Sequence, residues 1–494
     1  MADRARPSII ELVLAEPGAD PVLPLYLRIR DHIRNLILDE HLAAGDRLPA
    51  SRVLAGDLGV SRTTIELAYD ELVSGGFVER RRGSGTYVVD LLPTRPTPLR
   101  RLEGAGVAPQ QLSEVGRRLG TIRGFRDDPV LPAGFVACHP NEEAFPVALW
   151  NQVLVDRVYD RGRDLLRSVP LLGDPTLRRE LADHLARTRR VQCSPERLLI
   201  LASTQQALGF LSTLLLDAGD TVWMEEPGYL GARAVFQASG TRLVPVPVDA
   251  EGLVVADGLA MAPDARLAYV TPSHQYPTGV TLSAERRVEL LEWARDADAW
   301  IVEDDYDSEF RHVGRPLPPL QSFDRDGRVI YVGTFNKALF PGLRLAYVVL
   351  PESLVEVAER GIEVVGGQPS GLVQASAAAF LELGHFAAHL RRTRELYRTR
   401  RDVLLASVEE HLEGVVELGP SETGLHVCAR LADGVSDREL SERAGQAGLH
   451  VPPLSPCYLV AERSASGMIL GYAGVDERGL QRGLRQLASV VSGA

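Results

Sequence analysis

From about residue 130 onward, short apolar runs alternate with segments that have helical periodicity. The apolar runs cover residues 197–202, 221–225, 265–270, 300–303, 329–332 and 345–350. Runs of this length are typical of strands buried on both faces of a sheet, and strands separated by helices are typical of a mainly parallel sheet. The alternation therefore predicts a large α/β domain, in which ligands bind at the carboxyl ends of the strands.

The length of the chain predicts more than one domain. With 494 residues it can form two or three domains with full cores, and a hydrophobic fraction of 45% is ordinary for a globular protein. The net charge of -12 excludes a global attraction to nucleic acid, so any DNA contact must come from a local patch. Widely separated cysteines, with no metal-ligand spacing, and the lack of a signal sequence or membrane span indicate a cytoplasmic protein without a metal site.

The first ninety residues have the pattern of three short helices. In the first helix, apolar residues recur at helical spacing at Leu27, Ile29, Ile33, Leu36 and Ile37. Ser51 is predicted to cap the second helix. The predicted inner face of that helix is Val53, Leu54 and Leu58. Gly59 then turns the chain, and Ser61 is predicted to cap a third helix over residues 62–73, which completes a helix-turn-helix pattern.

A β-hairpin is predicted to follow these helices. Residues 77–89 hold two short strand patterns on either side of an Arg-Gly-Ser-Gly tip. Residues 22–90 contain nine arginines and ten acidic residues, but Arg52, Arg62 and the run 80–82 fall where a winged helix faces phosphates. The alternative is a small helical protein-interaction domain with a solvated charge run.

Several N-terminal segments match the motifs of a known family. They are Pro24-Leu-Tyr, Ala44-Gly-Asp-Arg-Leu-Pro-Ala-Ser-Arg52, Leu58-Gly-Val-Ser-Arg-Thr-Thr64, Ala68-Tyr-Asp-Glu-Leu72 and Arg82-Gly-Ser-Gly-Thr-Tyr-Val88. Through them, nearly all of residues 22–90 resembles the winged helix-turn-helix of the GntR superfamily. The resemblance implies that the partner is double-stranded promoter or operator DNA. The residues that it places against DNA are Arg52, Ser61, Arg62, Thr63, Thr64, Arg82 and Gly83.

Residues 91–115 are predicted to form a flexible linker. Three prolines fall within residues 93–98, and small and polar residues continue the stretch. The predicted organisation is a DNA-binding domain at residues 22–90, a linker at 91–115 and an effector domain at 116–494.

Lys337 is the only lysine among the 54 lysine and arginine residues of the chain. A lysine amine can lose its proton and form a Schiff base, which the guanidinium of arginine cannot do. Lys337 also follows the predicted strand at 329–332, three residues after Thr334 and seven before Arg344. This placement indicates a reactive amine beside two groups that can hold a phosphate, whereas the alternative is a lysine left by compositional drift.

Other polar motifs also follow predicted strands. Residues 203–206 offer hydroxyls and helix N–H groups to a phosphate, although ordinary N-capping also explains them. The acidic run 303–307 predicts either a carboxylate that pairs with a protonated heterocyclic nitrogen or a Mg²⁺ site. Tyr229 is suited to stacking on a flat cofactor, or simply packs a turn, and residues 273–279 are dense in hydrogen-bonding groups.

Together these motifs fit one ligand, pyridoxal 5'-phosphate (PLP), which needs a Schiff-base lysine, a carboxylate for its ring nitrogen, a phosphate site and an arginine. The matching segments are Ser203-Thr-Gln-Gln-Ala-Leu208, Glu226-Pro-Gly-Tyr229, Thr271-Pro-Ser-His-Gln-Tyr-Pro-Thr-Gly279, Glu303-Asp-Asp-Tyr-Asp-Ser-Glu-Phe310 and Gly333-Thr-Phe-Asn-Lys-Ala-Leu-Phe-Pro-Gly-Leu-Arg344. On these segments, residues 130–490 resemble the fold-type I aminotransferases. Fusion to a GntR-like winged helix is similar to the MocR/GabR group of bacterial transcriptional regulators.

The resemblance implies a role for each matching residue. Lys337 would form the Schiff base with PLP, and Asp304 would pair with the pyridine nitrogen. Tyr306 would hydrogen-bond the ring hydroxyl, and Tyr229 would stack on the ring. The residues implied to hold the phosphate are Thr204, Gln205, Thr334 and Arg344.

Three positions depart from the aminotransferase pattern. Tyr276 stands in place of an asparagine that touches the ring oxygen, so His274 or Gln275 would substitute for it. Asn336 stands where a serine usually precedes the lysine. Ile469 aligns with the arginine that binds the substrate α-carboxylate, so that bidentate clamp is missing. The missing clamp disfavours efficient transamination and leaves an unusual amine, or PLP itself, as the effector.

The resemblance implies a homodimeric, PLP-binding transcriptional regulator whose aminotransferase-like domain senses PLP or an amine. Such a protein would control vitamin B6 synthesis or the use of an amine such as GABA, taurine or an ectoine-related compound. One alternative is a catalytically active aminotransferase with an accessory DNA-binding domain. Another is a fold that no longer binds the cofactor.

Overall fold

The computed structural model describes residues 23–39, 41–90, 112–122, 134–315, 318–432 and 434–492. The chain separates into two compact units, with the division between residues 110 and 111. Most of the predicted linker lies outside the described residues, so its flexibility stays a prediction. Within the described ranges, no helix has both the length and the apolar character that a membrane span requires.

The first unit contains three helices and a hairpin. They are α1 (Leu25–Leu38), α2 (Ser51–Leu58), α3 (Arg62–Ser74), β1 (Val78–Arg81) and β2 (Gly85–Val88). The strands are antiparallel, with Val78 opposite Val88. Gly59 has φ +65°, a left-handed conformation that is easy for glycine, and it lets α2 turn into α3. The predicted winged helix-turn-helix is confirmed.

Two predictions about α2 were wrong. Val53 is 49% exposed, whereas Leu54 is fully buried among the apolar side chains of α1 and α3. The two are adjacent in sequence, about 100° apart around the helix axis, and only one of them faces the core. Ser51 is the first helical residue rather than the cap, and its Oγ donates a hydrogen bond of 2.5 Å to Glu66.

The second unit is built on an eight-stranded sheet. Its strands are β3 (Leu198–Leu201), β4 (Thr221–Glu226), β5 (Arg242–Asp249), β6 (Gly252–Leu253), β7 (Leu267–Val270), β8 (Trp300–Asp305), β9 (Val329–Thr334) and β10 (Ala346–Val349). Their order is β3-β10-β9-β8-β7-β4-β5-β6. The strands from β9 to β5 are parallel, and β10 is antiparallel to both of its neighbours. The predicted α/β domain with a mainly parallel sheet is confirmed.

Helices cover both faces of this sheet. The helices of the unit are α4 (Glu114–Thr121), α5 (Val147–Arg161), α6 (Pro175–Arg189), α7 (Thr204–Leu215), α8 (Leu230–Ser239), α9 (Val255–Met261), α10 (Ala284–Asp296), α11 (Glu352–Val365), α12 (Gly371–Glu382), α13 (His385–Leu412), α14 (Asp437–Gln446) and α15 (Glu477–Ser492). Successive residues Ile301 and Val302 of β8 are both fully buried, in hydrophobic clusters on opposite faces. Each such side chain contributes about 1.5–3 kcal/mol to folding, which is why the strand sequences are apolar throughout.

Two parts of this unit were not predicted. The first is β5, which carries Pro245 and Pro247. Proline is typical of edge strands, whereas β5 lies between β4 and β6. A separate antiparallel sheet is formed by β11 (Val416–Leu418), β12 (His426–Leu431) and β13 (Gly467–Gly471), with β12 in the middle. The segment between β12 and β13 is long, so no local hairpin signal reveals their pairing.

Candidate functional site

The parallel strands of the large sheet end at one edge, and the predicted cofactor residues lie at or just beyond those ends. They are Thr204 and Gln205 after β3, Tyr229 after β4, His274 after β7, Asp304 and Tyr306 at the end of β8, and Thr334, Lys337 and Arg344 at and after the end of β9. This edge is where ligands bind in open α/β sheets.

Asp304 has one carboxylate oxygen satisfied and the other without a donor. It is buried in β8, and Tyr269 Oη donates a hydrogen bond of 2.7 Å to its Oδ2. Its Oδ1 is buried and has no hydrogen-bond partner among the described residues. Burial raises the pKa of Asp304 to about 7, and the Tyr269 hydroxyl acts in the opposite direction. Such a carboxyl group is suited to a protonated ring nitrogen, which would stabilise its charged form.

The neighbouring carboxylates of the acidic run are used by the protein itself. Glu303 accepts two backbone N–H groups, from residues 320–321, at 2.7 and 2.8 Å. The Oδ2 of Asp305 accepts a hydrogen bond from Arg189 Nη2 at 2.7 Å. Burial acts to raise the pKa of Asp305, but Arg189 and nearby hydroxyl donors outweigh it and hold that pKa below its usual value. Side chains alternate across a strand, so these two carboxylates point away from Asp304. The three groups therefore do not converge as a Mg²⁺ site requires.

The first turn of α7 has the features of a phosphate site. Ser203 caps the helix through its Oγ, which accepts the N–H of Gln206 at 3.1 Å. The N–H groups of Thr204 and Gln205 lie in the first turn, where the helix itself provides no acceptor. The side-chain amide of Gln205 is buried, and neither of its polar atoms has a hydrogen-bond partner among the described residues. N-capping and anion binding are compatible here, because they use different N–H groups.

Thr334 and Arg344 are brought to the same strand end. Thr334 is the buried last residue of β9, and its Oγ1 accepts the N–H of Asn336 at 3.1 Å. Arg344 is exposed and has φ +54°, a left-handed conformation that is uncommon for residues with a side chain. It comes just before β10, where Ala346 lies opposite Thr334. The two residues predicted to hold the phosphate therefore lie at the same end of the adjacent strands β9 and β10.

Tyr229 lies beside this turn and over a glycine. A Cβ on Gly231 would lie 2.4 Å from the Tyr229 ring and 2.5 Å from Gln205 Nε2, so a larger residue does not fit there. Tyr229 also packs edge to face against Tyr276, with the ring centroids 5.6 Å apart. An aromatic ring is thus held next to the first turn of α7.

Tyr306 and His274 form a hydrogen-bonded group next to this aromatic pair. Tyr306 Oη donates to the carbonyl oxygen of His274 at 2.9 Å, and His274 Nδ1 lies 3.0 Å from Asp307. The Nε2 of His274 is buried and has no partner among the described residues. Gln275 donates its side-chain N–H groups to Glu225 and to two backbone carbonyls. Of the two residues predicted to replace the missing asparagine, only His274 retains an available nitrogen.

Lys337 is half-buried in the segment between β9 and β10. Burial dominates the raised pKa of Asp304, and the charge of Lys337 acts against it. Burial also lowers the pKa of His139 and of His426, and the charge of Lys337 acts in the same direction on both. The amine is therefore within electrostatic reach of the Asp304 carboxyl group and of two imidazoles.

Sequence reasoning missed three buried residues of the site. Tyr269, which holds Asp304, lies within the apolar run 265–270, and that run predicts only core. His426 belongs to the unpredicted strand β12, and its Nδ1 lies 3.3 Å from the Sγ of Cys138. Cys138 has φ +55° and no motif signal. The Sγ of Cys138, a ring nitrogen of His426 and a carboxylate oxygen of Asp307 all lie within 4.8 Å of one another.

In the first unit, the start of α3 presents four of the residues predicted to contact DNA. Ser61 caps α3 by accepting the N–H of Thr64 at 3.1 Å, and the two hydroxyls lie 2.8 Å apart. Arg62 and Thr63 are exposed, and Arg62 lies 3.5 Å from Glu66. Winged helices insert the N-terminal end of this helix into the major groove.

Two of the three wing arginines form ion pairs within the protein. Arg80 Nη2 lies 2.9 Å from Glu66 and 2.8 Å from Asp70, so it ties the wing to α3. Arg81 lies 2.7 Å from Glu79. These two side chains are therefore less available to phosphates than the charge run predicts.

Arg82, Gly83 and Arg52 complete the predicted DNA-binding residues, and all three are exposed. Gly83 has φ +74°, which the tight tip of the wing requires. A cavity of about 550 Å³ lies beside the wing. Its basic lining residues are Arg47, Arg80, Arg81 and Arg82.

The fold and the two sites define a DNA-binding winged helix joined to an aminotransferase-like unit. Residues 143–487 match the family Aminotransferase class I and II, and residues 25–88 match the bacterial regulatory proteins of the gntR family.

Relatives that span nearly the whole chain are regulators. The probable rhizopine catabolism regulatory protein MocR of Rhizobium meliloti is 39% identical over 470 residues, covering 95% of this chain and 94% of the relative. The HTH-type pyridoxine biosynthesis transcriptional regulator PdxR of Corynebacterium glutamicum is 33% identical over 469 residues, covering 94% and 95%. Among solved structures, the α-aminoadipate aminotransferase LysN of Thermus thermophilus has a TM-score of 0.70 at 28% identity, covering 76% of this chain and 97% of that chain.

The chain belongs to the MocR-type transcriptional regulators, in which a gntR-family winged helix precedes an aminotransferase class I and II domain. Since the full-length relatives are regulators, the comparisons do not favour an active aminotransferase with an accessory DNA-binding domain.

PLP is the cofactor of this unit, and the residues present fit it. Buried polar atoms without partners among the described residues occur on Asp304, Gln205 and His274. The close approach of the Tyr229 ring to Gly231 forms a cradle that a Cβ would fill. PLP supplies an aldehyde carbon that condenses with primary amines.

Proposed function

We propose that this protein is a homodimeric cytoplasmic regulator whose aminotransferase-like unit carries PLP at Lys337 and senses an amine or PLP itself. Binding in this unit shifts the balance between two conformations and so changes the affinity of the winged helices for operator DNA. The observation that carries the proposal is the presence, in one chain, of a PLP-type site and a winged helix with an exposed recognition turn.

Each site residue has one task in this proposal. Lys337 would provide the amine, Asp304 would pair with the ring nitrogen through Oδ1, and Tyr229 would stack on the ring. The Nε2 of His274, and the hydroxyl of Tyr306 once its hydrogen turns away from the carbonyl oxygen of His274, would serve the ring oxygen. The phosphate is held by Thr204, Gln205, Thr334 and Arg344. The buried atoms without partners on Asp304, Gln205 and His274 support this arrangement.

DNA binding is assigned to the start of α3, to Arg52 on α2 and to the wing tip. The residues are Arg52, Ser61, Arg62, Thr63, Thr64, Arg82 and Gly83. Their exposure, together with the helix N-terminus at Ser61, supports phosphate and groove contacts. A homodimer would present two winged helices and read two half-sites.

The names of the two relatives favour control of a catabolic pathway over control of cofactor synthesis. The relative at 39% identity is named for rhizopine catabolism, and the one at 33% is named for pyridoxine biosynthesis. The higher identity of the first relative supports a small molecule that is catabolised as the effector.

The proposal is tested by measuring the affinity of the purified chain for its upstream DNA with and without PLP and a panel of primary amines. We expect PLP alone or one class of amine to shift that affinity by at least about tenfold, which corresponds to about 1.4 kcal/mol of coupling. Lys337→Ala should lose the near-visible absorbance of the PLP-loaded protein and the response to amines. Lys337→Arg is the matched control, because it keeps the charge without a reactive amine. DNA affinity that is indifferent to PLP and to every amine would contradict the proposal.

A further inference from the structure

One face of the small sheet forms a wall of the PLP site. On β12 and β13, Val427 and Leu470 point into the hydrophobic core, so by alternation His426 and Ile469 lie on the opposite face. His426 reaches the site: its ring lies 5.4 Å from the Tyr276 ring, measured between centroids. Ile469 therefore shares a face with a residue that contacts the site.

The loop that carries Cys138 closes this wall. Gly471 lies on the same face as Ile469, and a Cβ there would lie 1.9 Å from the carbonyl oxygen of Val136. The loop is thus packed tightly against β13. It brings the Sγ of Cys138 to 3.3 Å from His426 Nδ1.

The His426 imidazole and the Cys138 thiol of this wall are neutral, and the carboxyl group of Asp307 lies within 4.8 Å of both. His426 is fully buried, and its Nε2 lies 3.2 Å from the carbonyl oxygen of Pro277. A carbonyl only accepts, so Nε2 carries the hydrogen and Nδ1 accepts the S–H of Cys138. Burial also holds the pKa of His426 well below its usual value, which keeps the ring neutral.

Ile469 lies on this face of the small sheet, diagonal to His426 in the strand pairing. It is 1% exposed and lies opposite Cys428 in the strand pairing. Among the described residues of β12 and β13, Arg430 is the only cation on this face, and it is exposed. Arg430 is four residues from His426, or roughly 13 Å along a strand. A carboxylate placed between Ile469, Cys138 and His426 would be desolvated near the Asp307 carboxyl group, with no buried cation on the described strands β12 and β13. The charge of Lys337 acts on His426, but in the proposed function that amine carries PLP.

Building on the proposed function, we propose that the effector is a primary amine that carries no carboxylate on the carbon bearing the amine, and that Ile469, His426 and Cys138 set this preference. The wall accepts apolar and neutral hydrogen-bonding groups. It rejects α-amino acids because the buried groups of the wall itself offer their carboxylate no counter-charge.

The test uses full-length, PLP-loaded protein and pairs of ligands that differ only by the carboxylate: ethanolamine against serine, and isoamylamine against leucine. Affinity is measured by calorimetry, and each ligand is also scored for its effect on DNA affinity. We expect each amine to bind at least about tenfold more tightly than the matching amino acid. Ile469→Arg should raise the affinity for the amino acids at least about tenfold, whereas Ile469→Leu should leave the order of the ligand affinities unchanged.

Three outcomes overturn the inference. Amino acids that bind the unmodified protein as tightly as the amines would show that the carboxylate is accommodated, and loss of that binding in Arg430→Ala would identify the cation responsible. Binding of neither class, with DNA affinity responsive to PLP, would leave PLP as the effector. Binding of neither class, with no response to PLP, would overturn the proposed function as well. The comparison of amines with amino acids on the unmodified protein tests the inference even if Ile469→Arg does not fold.

Discussion

At the scale of single residues, the acidic run of β8 shows how three consecutive carboxyl groups acquire different roles. Glu303 is satisfied by two backbone N–H groups, and the Oδ2 of Asp305 accepts from Arg189 and from Tyr331, whereas its Oδ1 has no partner among the described residues. Asp304 points to the other face, where Tyr269 satisfies only one of its oxygens. The alternation of the strand turns Asp305 toward Arg189 and Asp304 away from it, so Asp304 is the aspartate without a guanidinium partner in the described part of the chain and is the one suited to a protonated ring nitrogen.

Asp304 should make the stability of the cofactor-free protein depend on pH. Burial raises its pKa in the folded protein to about 7, against about 3.9 when unfolded. The folded state therefore binds more protons between these values, so its stability falls as the pH rises from about 4 to about 7. Asp304→Asn should reduce this slope by up to about 1.4 kcal/mol per pH unit, measured by denaturant unfolding of cofactor-free protein across that range.

Glu225, Glu303 and Glu309 should contribute to the remaining slope, because burial raises the pKa of each to about 7. PLP should weaken the pH dependence in the unmodified protein and not in Asp304→Asn. An identical pH profile in the two proteins without cofactor would contradict the assignment of the raised pKa to Asp304.

At the scale of elements, the wing and α3 form one surface because Arg80 joins them. Its ion pairs with Glu66 and Asp70 are partly exposed, so together they stabilise the unit by no more than about 1 kcal/mol. Their effect is on the position of the wing. Arg82, by contrast, is exposed at the wing tip.

Arg82→Ala and Arg80→Ala should therefore weaken DNA binding in different ways. Loss of one phosphate contact from each winged helix in Arg82→Ala should reduce the slope of log affinity against log salt concentration by about 0.9 per bound winged helix, or about 1.8 for the homodimer. Arg80→Ala should lower affinity with little change in that slope. The two slopes are measured by DNA titration at several salt concentrations. A larger change of slope for Arg80→Ala than for Arg82→Ala would reverse the two assignments.

At the scale of the whole molecule, the described residues form two units with separate cores. The predicted start of the effector domain at residue 116 falls inside α4, which runs from Glu114 to Thr121. Arg118 of this helix donates its Nε–H to the carbonyl oxygen of Ala238 at 3.1 Å, so α4 packs on α8.

A chain shortened to residues 112–494 should bind PLP with the same absorbance as the full chain and should not bind DNA. Shortening to residues 124–494 removes α4 and the Arg118 hydrogen bond, which should cost about 1–3 kcal/mol of stability. Thermal unfolding and cofactor titration of the two shortened chains measure both effects. Failure of residues 112–494 to bind PLP would mean that the second unit needs the first to fold.

The sequence by itself determined the class of both units. Apolar strand runs, helical periodicity, caps and turn glycines are local signals, so the α/β sheet and the winged helix were predictable from them. The positions of Lys337, Asp304 and Arg344 after strands were also predictable, because the carboxyl ends of parallel strands share one edge.

Only the tertiary structure decided which groups meet. From sequence, Tyr269 is predicted only as a core residue, and its contact with Asp304 depends on the pairing of β7 with β8. Val53 and Leu54 are both apolar in sequence, and the packing of α2 decides which of them is buried. Cys138 and His426 are 288 residues apart in sequence. Their contact, and the place of Ile469 beside them, depend on the pairing of β12 with β13 and on the packing of a distant loop. These are long-range interactions, whose partners no local pattern specifies.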